Sequence, residues 1–153
     1  MKKTPDGWPR ISPSMFYDDA PAAIGFLCRA FGFEVRLKVE GEGGRIEHSE
    51  LVFGDGLVMV STAQGPTKDG RAPSPGRSPR SLSGANTQTL CLFVDDVEAH
   101  CERARKAGAK IVDPPLTSDY GDEYWADLCY RAEDPEGHQW WFIQRLRTGG
   151  KDA

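Results

Sequence analysis

The amino-acid sequence predicts an α+β fold built from two βαβββ modules, and three observations carry that prediction. Runs that alternate apolar and polar residues flank a stretch with helical periodicity. The same plan then returns after residue 86, an internal duplication. Between the two lies a Pro/Gly/Ser-rich stretch that no core element would tolerate. With 153 residues, 39% hydrophobic and 27% charged, the chain has the balance of one globular domain, placed at 10–146. A chain of this length buries roughly 68–70% of the surface its unfolded form exposes, so folding as such requires neither metal nor disulfide.

Each element has its own local reason. Ile11 to Phe16 reads as the first strand, with Ile11, Pro13 and Met15 on one side and Ser12, Ser14 and Phe16 on the other. Met1 to Pro9 ahead of it reads as loose. Asp18 or Asp19 supplies a capping oxygen, Pro21 suits a first turn, and Ile24, Leu27, Cys28 and Phe31 recur at helical spacing until Gly32 ends the helix. Phe33 to Glu40 and Arg45 to Phe53 alternate as strands across the turn Gly41-Glu42-Gly43-Gly44. Asp55-Gly56 has the chemistry of a two-residue hairpin in which both residues take φ > 0, and Leu57 to Thr62 follows as a buried strand. Module one therefore spans about 10–63. The stretch 64–86 reads as a flexible loop with Lys68, Arg71, Arg77 and Arg80 against Asp69 alone, either a solvated linker or a basic lid.

Module two, 87–146, repeats the order. Thr87 to Val94 is a strand, Asp95 or Asp96 caps a helix with Val97, Cys101 and Ala104 inward, and Gly108 stops it. Aligned on the glycines, Asp19 falls on Asp95, Ile24 on His100, Gly32 on Gly108 and Val35 on Ile111. A short strand Ala109 to Val112, a break at Pro114-Pro115, a strand within Tyr124 to Arg131, the turn Asp134-Pro135-Glu136-Gly137 and a last strand His138 to Arg145 complete it.

Composition excludes several function classes. A net charge of -4 and a pI near 5.4 argue against a nucleic-acid partner, which is bound by Lys/Arg neutralising phosphates. No apolar run approaches the roughly 20 residues of a membrane span, and no apolar segment of a secretory signal follows Lys2 and Lys3, so a cytoplasmic protein is expected. The four cysteines (Cys28, Cys91, Cys101, Cys129) form no C-x-x-C pair and read as small buried hydrophobes. No Gly-x-Ser-x-Gly elbow is present, and Gly41-x-Gly-Gly lacks the context of a phosphate loop.

Ordered motifs in both halves carry a resemblance. They are Phe16-Tyr17-Asp18-Asp19-Ala20 with Phe31-Gly32-Phe33-Glu34-Val35, then Arg45 to Leu51 with Gly54-Asp55-Gly56. In the second half they are Phe93-Val94-Asp95-Asp96-Val97 with Ala107-Gly108-Ala109, then Tyr120-Gly121-Asp122 and Asp134 to Trp140. From Ile11 to Arg145, the long loop apart, the chain resembles the vicinal oxygen chelate superfamily of glyoxalase I, bleomycin-resistance proteins, fosfomycin-resistance enzymes and extradiol dioxygenases. Within it the PhnB-like or glyoxalase-like branch is the nearest in character. The resemblance implies paired modules whose mixed sheets curl into a cup around a small molecule, commonly completed in a homodimer.

Metal-dependent members place His or Glu on the first and last strand of each module. Carried over, those positions fall on Ser12, Thr89, Trp141, and Val60 or Met59, none of them an imidazole or carboxylate. No metal and no cofactor is therefore expected. The candidate ligand-binding residues are Ser12, Ser14, Phe16, His48, Glu50, Met59, Thr89, Phe93, Trp125 and Trp141, with Tyr120 and Tyr124 adding to the aromatic set. Trp140 and Trp141, adjacent on a strand, must face opposite ways. His48 and Glu50 share one face of the third strand and are the weak candidates for catalytic work, as general base and orienter. His100 and His138 read as structural. The expected function is a metal-free small-molecule binder of the antibiotic-sequestering type. The alternatives are a lyase, isomerase or dioxygenase of the superfamily using Glu50 and His48 or an unrecognised metal site, and an interaction module acting through the basic loop.

Overall fold

A computed structural model describes residues 1–64 and 74–150. The chain divides into two compact units, Met1–Ala85 and Asn86–Ala153. The first contains β1 (Ser14–Tyr17), α1 (Ala20–Phe26), β2 (Glu34–Glu40), β3 (Ile46–Phe53) and β4 (Gly56–Thr62). The second contains β5 (Leu90–Phe93), α2 (Val97–Lys106), β6 (Lys110–Asp119), β7 (Ala126–Glu133) and β8 (Gln139–Arg147). Each forms one four-stranded mixed sheet, ordered β1-β4-β3-β2 and β5-β8-β7-β6. In both, the first strand lies parallel to the last. The two βαβββ modules therefore share one topology. Among the described residues no helix is long and apolar enough to cross a membrane.

Strand alternation decides which side chains reach the core. Met15, Tyr17, Leu51 and Val60 are buried in the first unit together with Ile24, Leu27 and Phe31 of the helical segment. In the second unit Tyr130, Trp140 and Phe142 are buried with Val97, Cys101 and Ala104. Tyr130 stacks on Phe142 at 5.0 Å, and its hydroxyl lies 2.6 Å from His100 Nδ1, so this buried histidine is part of the core. Burial holds the Tyr130 hydroxyl far above its ordinary pKa. Residues of the opposite parity lie on the other face of each sheet, and the candidate site residues of the strands are among them.

The helices start at the aspartates the sequence offers. Asp19 Oδ1 accepts from Ala22 N at 3.1 Å, and Asp96 Oδ1 accepts from Ala99 N at 2.9 Å. The equivalent of Asp19 is therefore Asp96 and not Asp95. Gly32 and Gly108 both close their helices with positive φ, so the first helical segment must hold one more residue than the second. It absorbs that residue as a π-helical turn, Leu27–Phe31. Replacing Asp96 by alanine removes a capping acceptor and is expected to lower stability by about 1 kcal/mol, read from the urea midpoint.

Several local expectations change. β1 starts at Ser14 because Ile11 is 84% exposed and Pro13 contributes only its carbonyl, which accepts from Met59 N. Phe53 pairs with Gly56, so the hairpin loop is Gly54-Asp55, and only Gly54 has φ > 0, as the first position of a type II′ turn requires. β6 runs through Pro114-Pro115 without a break. It is an edge strand, where a missing N–H can face solvent, and its register shifts between Asp113 and Leu116. Cys101 is buried, but Cys28 and Cys129 are half-buried and Cys91 is exposed. Of the stretch 64–86, Lys68, Asp69 and Arg71 lie outside the described residues. The part from 74 on contains a 3-10 turn, Pro79–Leu82, capped by the buried Ser78.

Candidate functional site

The sequence-predicted residues fall into two groups, one in each unit. In the first unit the register sets Ser14, Met59 and Glu50 side by side across β1, β4 and β3, with Phe16 beside Ser61. His48 lies on the same face of β3 as Glu50, its Nε2 3.1 Å from Glu50 Oε1. A register shift at Arg36 brings a second arm onto this carboxylate: Arg36 Nε donates to Glu50 Oε2 at 2.8 Å. Glu50 is only 7% exposed. His48, and then Arg36, hold its carboxyl below the usual carboxylate range, against the opposing effect of burial.

Two segments expected to be loose are built onto this unit. Trp8 covers the Arg36 guanidinium at 4.7 Å, and Gly7 O accepts from Arg36 Nη1. A groove of about 680 Å³ runs between this N-terminal arm and the β3–β4 hairpin, lined by residues that include Lys3, Asp6, Arg36, Val52 and Asp55. At the other edge the Gly76 backbone lies so close to the Phe16 ring that a Cβ added there would clash with it. Ser12, half-buried, precedes β1 and does not join the strand row.

The second sheet is built of larger, more exposed groups. Its register forms the row Cys91, Trp141, Arg131, and next to it the row Phe93, Ile143, Cys129. Arg145 lies beyond, opposite Asp127. Trp140 turns to the core with 0% exposure, so Trp141 takes the other face. Arg131 Nε donates to Asp113 Oδ2 at 2.8 Å, and its guanidinium lies 5.5 Å from the Trp141 ring. Arg145 Nε donates to Asp127 Oδ1 at 2.5 Å. The Arg145 guanidinium stands 5.6 Å from the Phe93 ring and 5.4 Å from the Trp125 ring. Trp125 is positioned by the β6–β7 hairpin: its carbonyl accepts from Tyr120 N at 3.0 Å, and Tyr120 and Tyr124 pack on its ring at 5.6 and 6.1 Å. Phe93 is 61% exposed and Trp125 41%, both large apolar groups at the surface. Thr89 is exposed ahead of β5 and makes no part of these rows.

Sequence reasoning missed Arg36, Arg131, Arg145 and Trp8. A signal was available for Arg145, which shares the parity of Trp141 on one strand.

Whether these residues fit the divalent ion of metal-dependent relatives is decided by donor chemistry. Met59 and Trp141 occupy equivalent places on β4 and β8, each beside the first strand, while Val60 is fully buried on the other face. A thioether, an indole and the hydroxyls of Ser12 and Thr89 do not make a site for a divalent ion. Among the described residues no group of three or more His, Cys, Asp or Glu is placed to hold one.

Comparison with known proteins agrees with this architecture. The Glyoxalase/Bleomycin resistance protein/Dioxygenase superfamily profile matches residues 11–142. An uncharacterized protein of Mycobacterium bovis is 32% identical over 144 residues, covering 94% of this chain and 88% of its own. The crystal structure of TioX from a Micromonospora species is similar with a TM-score of 0.68 at 29% identity, over 91% of this chain and 100% of that one. TnmS3, an antibiotic binding protein from a Streptomyces species, shares the fold with a TM-score of 0.61 at 20% identity, over 88% of this chain and 93% of its own. Duplicated βαβββ topology, profile and relatives agree: the chain belongs to the Glyoxalase/Bleomycin resistance protein/Dioxygenase superfamily.

Proposed function

We propose that this chain is a small-molecule binding protein that works without a metal, taking an aromatic or partly apolar ligand against Trp141, Phe93 and Trp125. The observation that carries the reading is the run Phe93–Arg145–Trp125, in which two exposed rings flank a tethered guanidinium, on the same sheet face as Trp141 with Arg131 against its ring. Flat, rigid aromatic faces with a few placed polar groups are what ligand sites are made of. A fold shared with an antibiotic binding protein supports a sequestering role, and a cytoplasmic homodimer is part of the same proposal.

Titration of a panel of polycyclic aromatic compounds, followed by tryptophan fluorescence, tests it. Binders should quench the emission, and Trp141→Ala should weaken them by about tenfold, the loss of one stacked ring. Unchanged affinity in the variant would remove Trp141 from the site. One equivalent of tightly held Ni, Zn, Fe or Mn per chain after dialysis would overturn the metal-free reading.

A second reading, an enzyme with Glu50 as base and His48 as its orienter, has the 3.1 Å contact in its favour. The same contact and Arg36 stabilise the ionised carboxylate, which makes Glu50 a weak base near neutral pH.

A further inference from the structure

The arginines of the second sheet say which charge its ligand should carry. A bare aromatic cluster would suit a cationic ligand, whose charge would rest on the ring faces. Here those faces already have cations: Arg131 lies over Trp141, and Arg145 lies against both Phe93 and Trp125. An ammonium ligand would have to displace a guanidinium or meet it as a like charge.

Each guanidinium, in contrast, has donors to offer. Arg131 and Arg145 are tied to Asp113 and Asp127 through Nε, and among the described residues no other side chain or backbone group accepts from either. A carboxylate held on the Nε side leaves the far edge of the guanidinium, with its Nη hydrogens, without a protein acceptor. The tether fixes the plane of the fork in advance, so little side-chain entropy remains to be lost when an acceptor arrives. Arg131 shares its row with Trp141, and Arg145 lies four residues further along β8, about 13 Å at the rise of a strand. The floor between them is Ile143 and Cys129, apolar and small.

Resting on the binding function proposed above, we infer that this face selects an anionic aromatic ligand: a fused planar ring system over Ile143 and Trp141 whose carboxylate, or a similar anionic oxygen pair, meets the free edge of Arg145 or Arg131. Because Asp113 and Asp127 neutralise the guanidinium groups, discrimination arises at contact through directed hydrogen bonds and not from a long-range field.

Three probes with the same ring and different charge test this: naphthoate, naphthalenemethanol and naphthylmethylammonium, each titrated into the whole chain with tryptophan fluorescence as the readout. Naphthoate should bind about tenfold tighter than the ammonium compound, one charge-assisted hydrogen bond, with the alcohol between them. Arg145→Met and Arg131→Met are each checked for folding by circular dichroism. At least one should abolish the preference for the carboxylate, bringing the naphthoate and naphthylmethylammonium affinities within about twofold of each other. Equal or tighter binding of the ammonium compound, or a carboxylate preference that survives in both variants, would overturn the inference and leave the binding function standing. If none of the three probes binds, the binding function falls and the inference with it.

Discussion

Trp140→Ala is expected to destabilise the protein by about 4 kcal/mol, while Trp141→Ala, one residue along the same strand, changes stability by less than about 1 kcal/mol. Trp140 is 0% exposed, and its truncation leaves a cavity the size of an indole in the core of the second unit. It also removes a polar contact. Trp140 Nε1 donates to Asp134 Oδ2 at 3.1 Å, and Asp134 Oδ1 accepts from Glu136 N at 3.0 Å and His138 N at 3.1 Å, which shapes the turn into β8. Asp134 is 4% exposed, so a lost donor there is not simply replaced by water. Trp141 faces the other way, half-buried beside Arg131, and its loss removes only surface contacts. Urea denaturation of the two variants, followed by far-ultraviolet circular dichroism, separates them. Equal losses would show that β8 does not present the two indoles to opposite faces. In ligand titrations the order should reverse, with Trp141→Ala the damaging change.

That reversal was legible in the sequence because a strand has a period of two, and two adjacent tryptophans cannot share a face. The same rule placed His48 with Glu50, whereas Phe93 was grouped with Trp141 through the paired-module fold that the resemblance implied. Capping chemistry likewise located both helix starts to one of two aspartates, Asp18 or Asp19 and Asp95 or Asp96, with Gly32 and Gly108 as the ends, and Asp19 and Asp96 are the ones that cap. What was not legible depends on partners far along the chain. Pro114-Pro115 reads as a break because the local rule is steric, yet an edge position removes the penalty, and edge position belongs to the sheet. The π-helical turn follows from fixed ends with one residue too many between them, which leaves no mark in the hydrophobic pattern. The aspartate partners of Arg131 and Arg145 emerge only when register sets Asp113 and Asp127 beside them. Arg36 reaches Glu50 only because the β2–β3 ladder shifts at that residue.

Register also shows that the two sheets solve one problem with opposite signs. Glu50 on β3 stands beside Met59, and Arg131 on β7 stands beside Trp141, the equivalent place. The first takes an arginine from its edge strand β2, and the second an aspartate from its edge strand β6. The first pair is the more buried, with side-chain exposures of 28% for Arg36 and 9% for Glu50, and its contribution should be visible in stability. Glu50→Gln keeps the shape and removes the charge. It is expected to lower stability at neutral pH by about 2 kcal/mol, below the value for a wholly buried pair because Arg36 can recover water. The sign with pH follows from the lowered carboxyl pKa, caused first by His48 and then by Arg36 against burial. A carboxyl held below its ordinary value stabilises the fold above that value, and the contribution is lost as pH falls through the lowered one. The gap between Glu50→Gln and the parent should therefore be full above about pH 5 and close on further acidification. Glu40, paired with Lys38 at 2.7 Å but 58% exposed, also has a lowered pKa, yet water screens that pair. Glu40→Gln should leave the pH dependence of stability unchanged. A gap for Glu50→Gln that stays constant down to pH 3 would mean that the carboxylate charge is not what Arg36 and His48 hold in place.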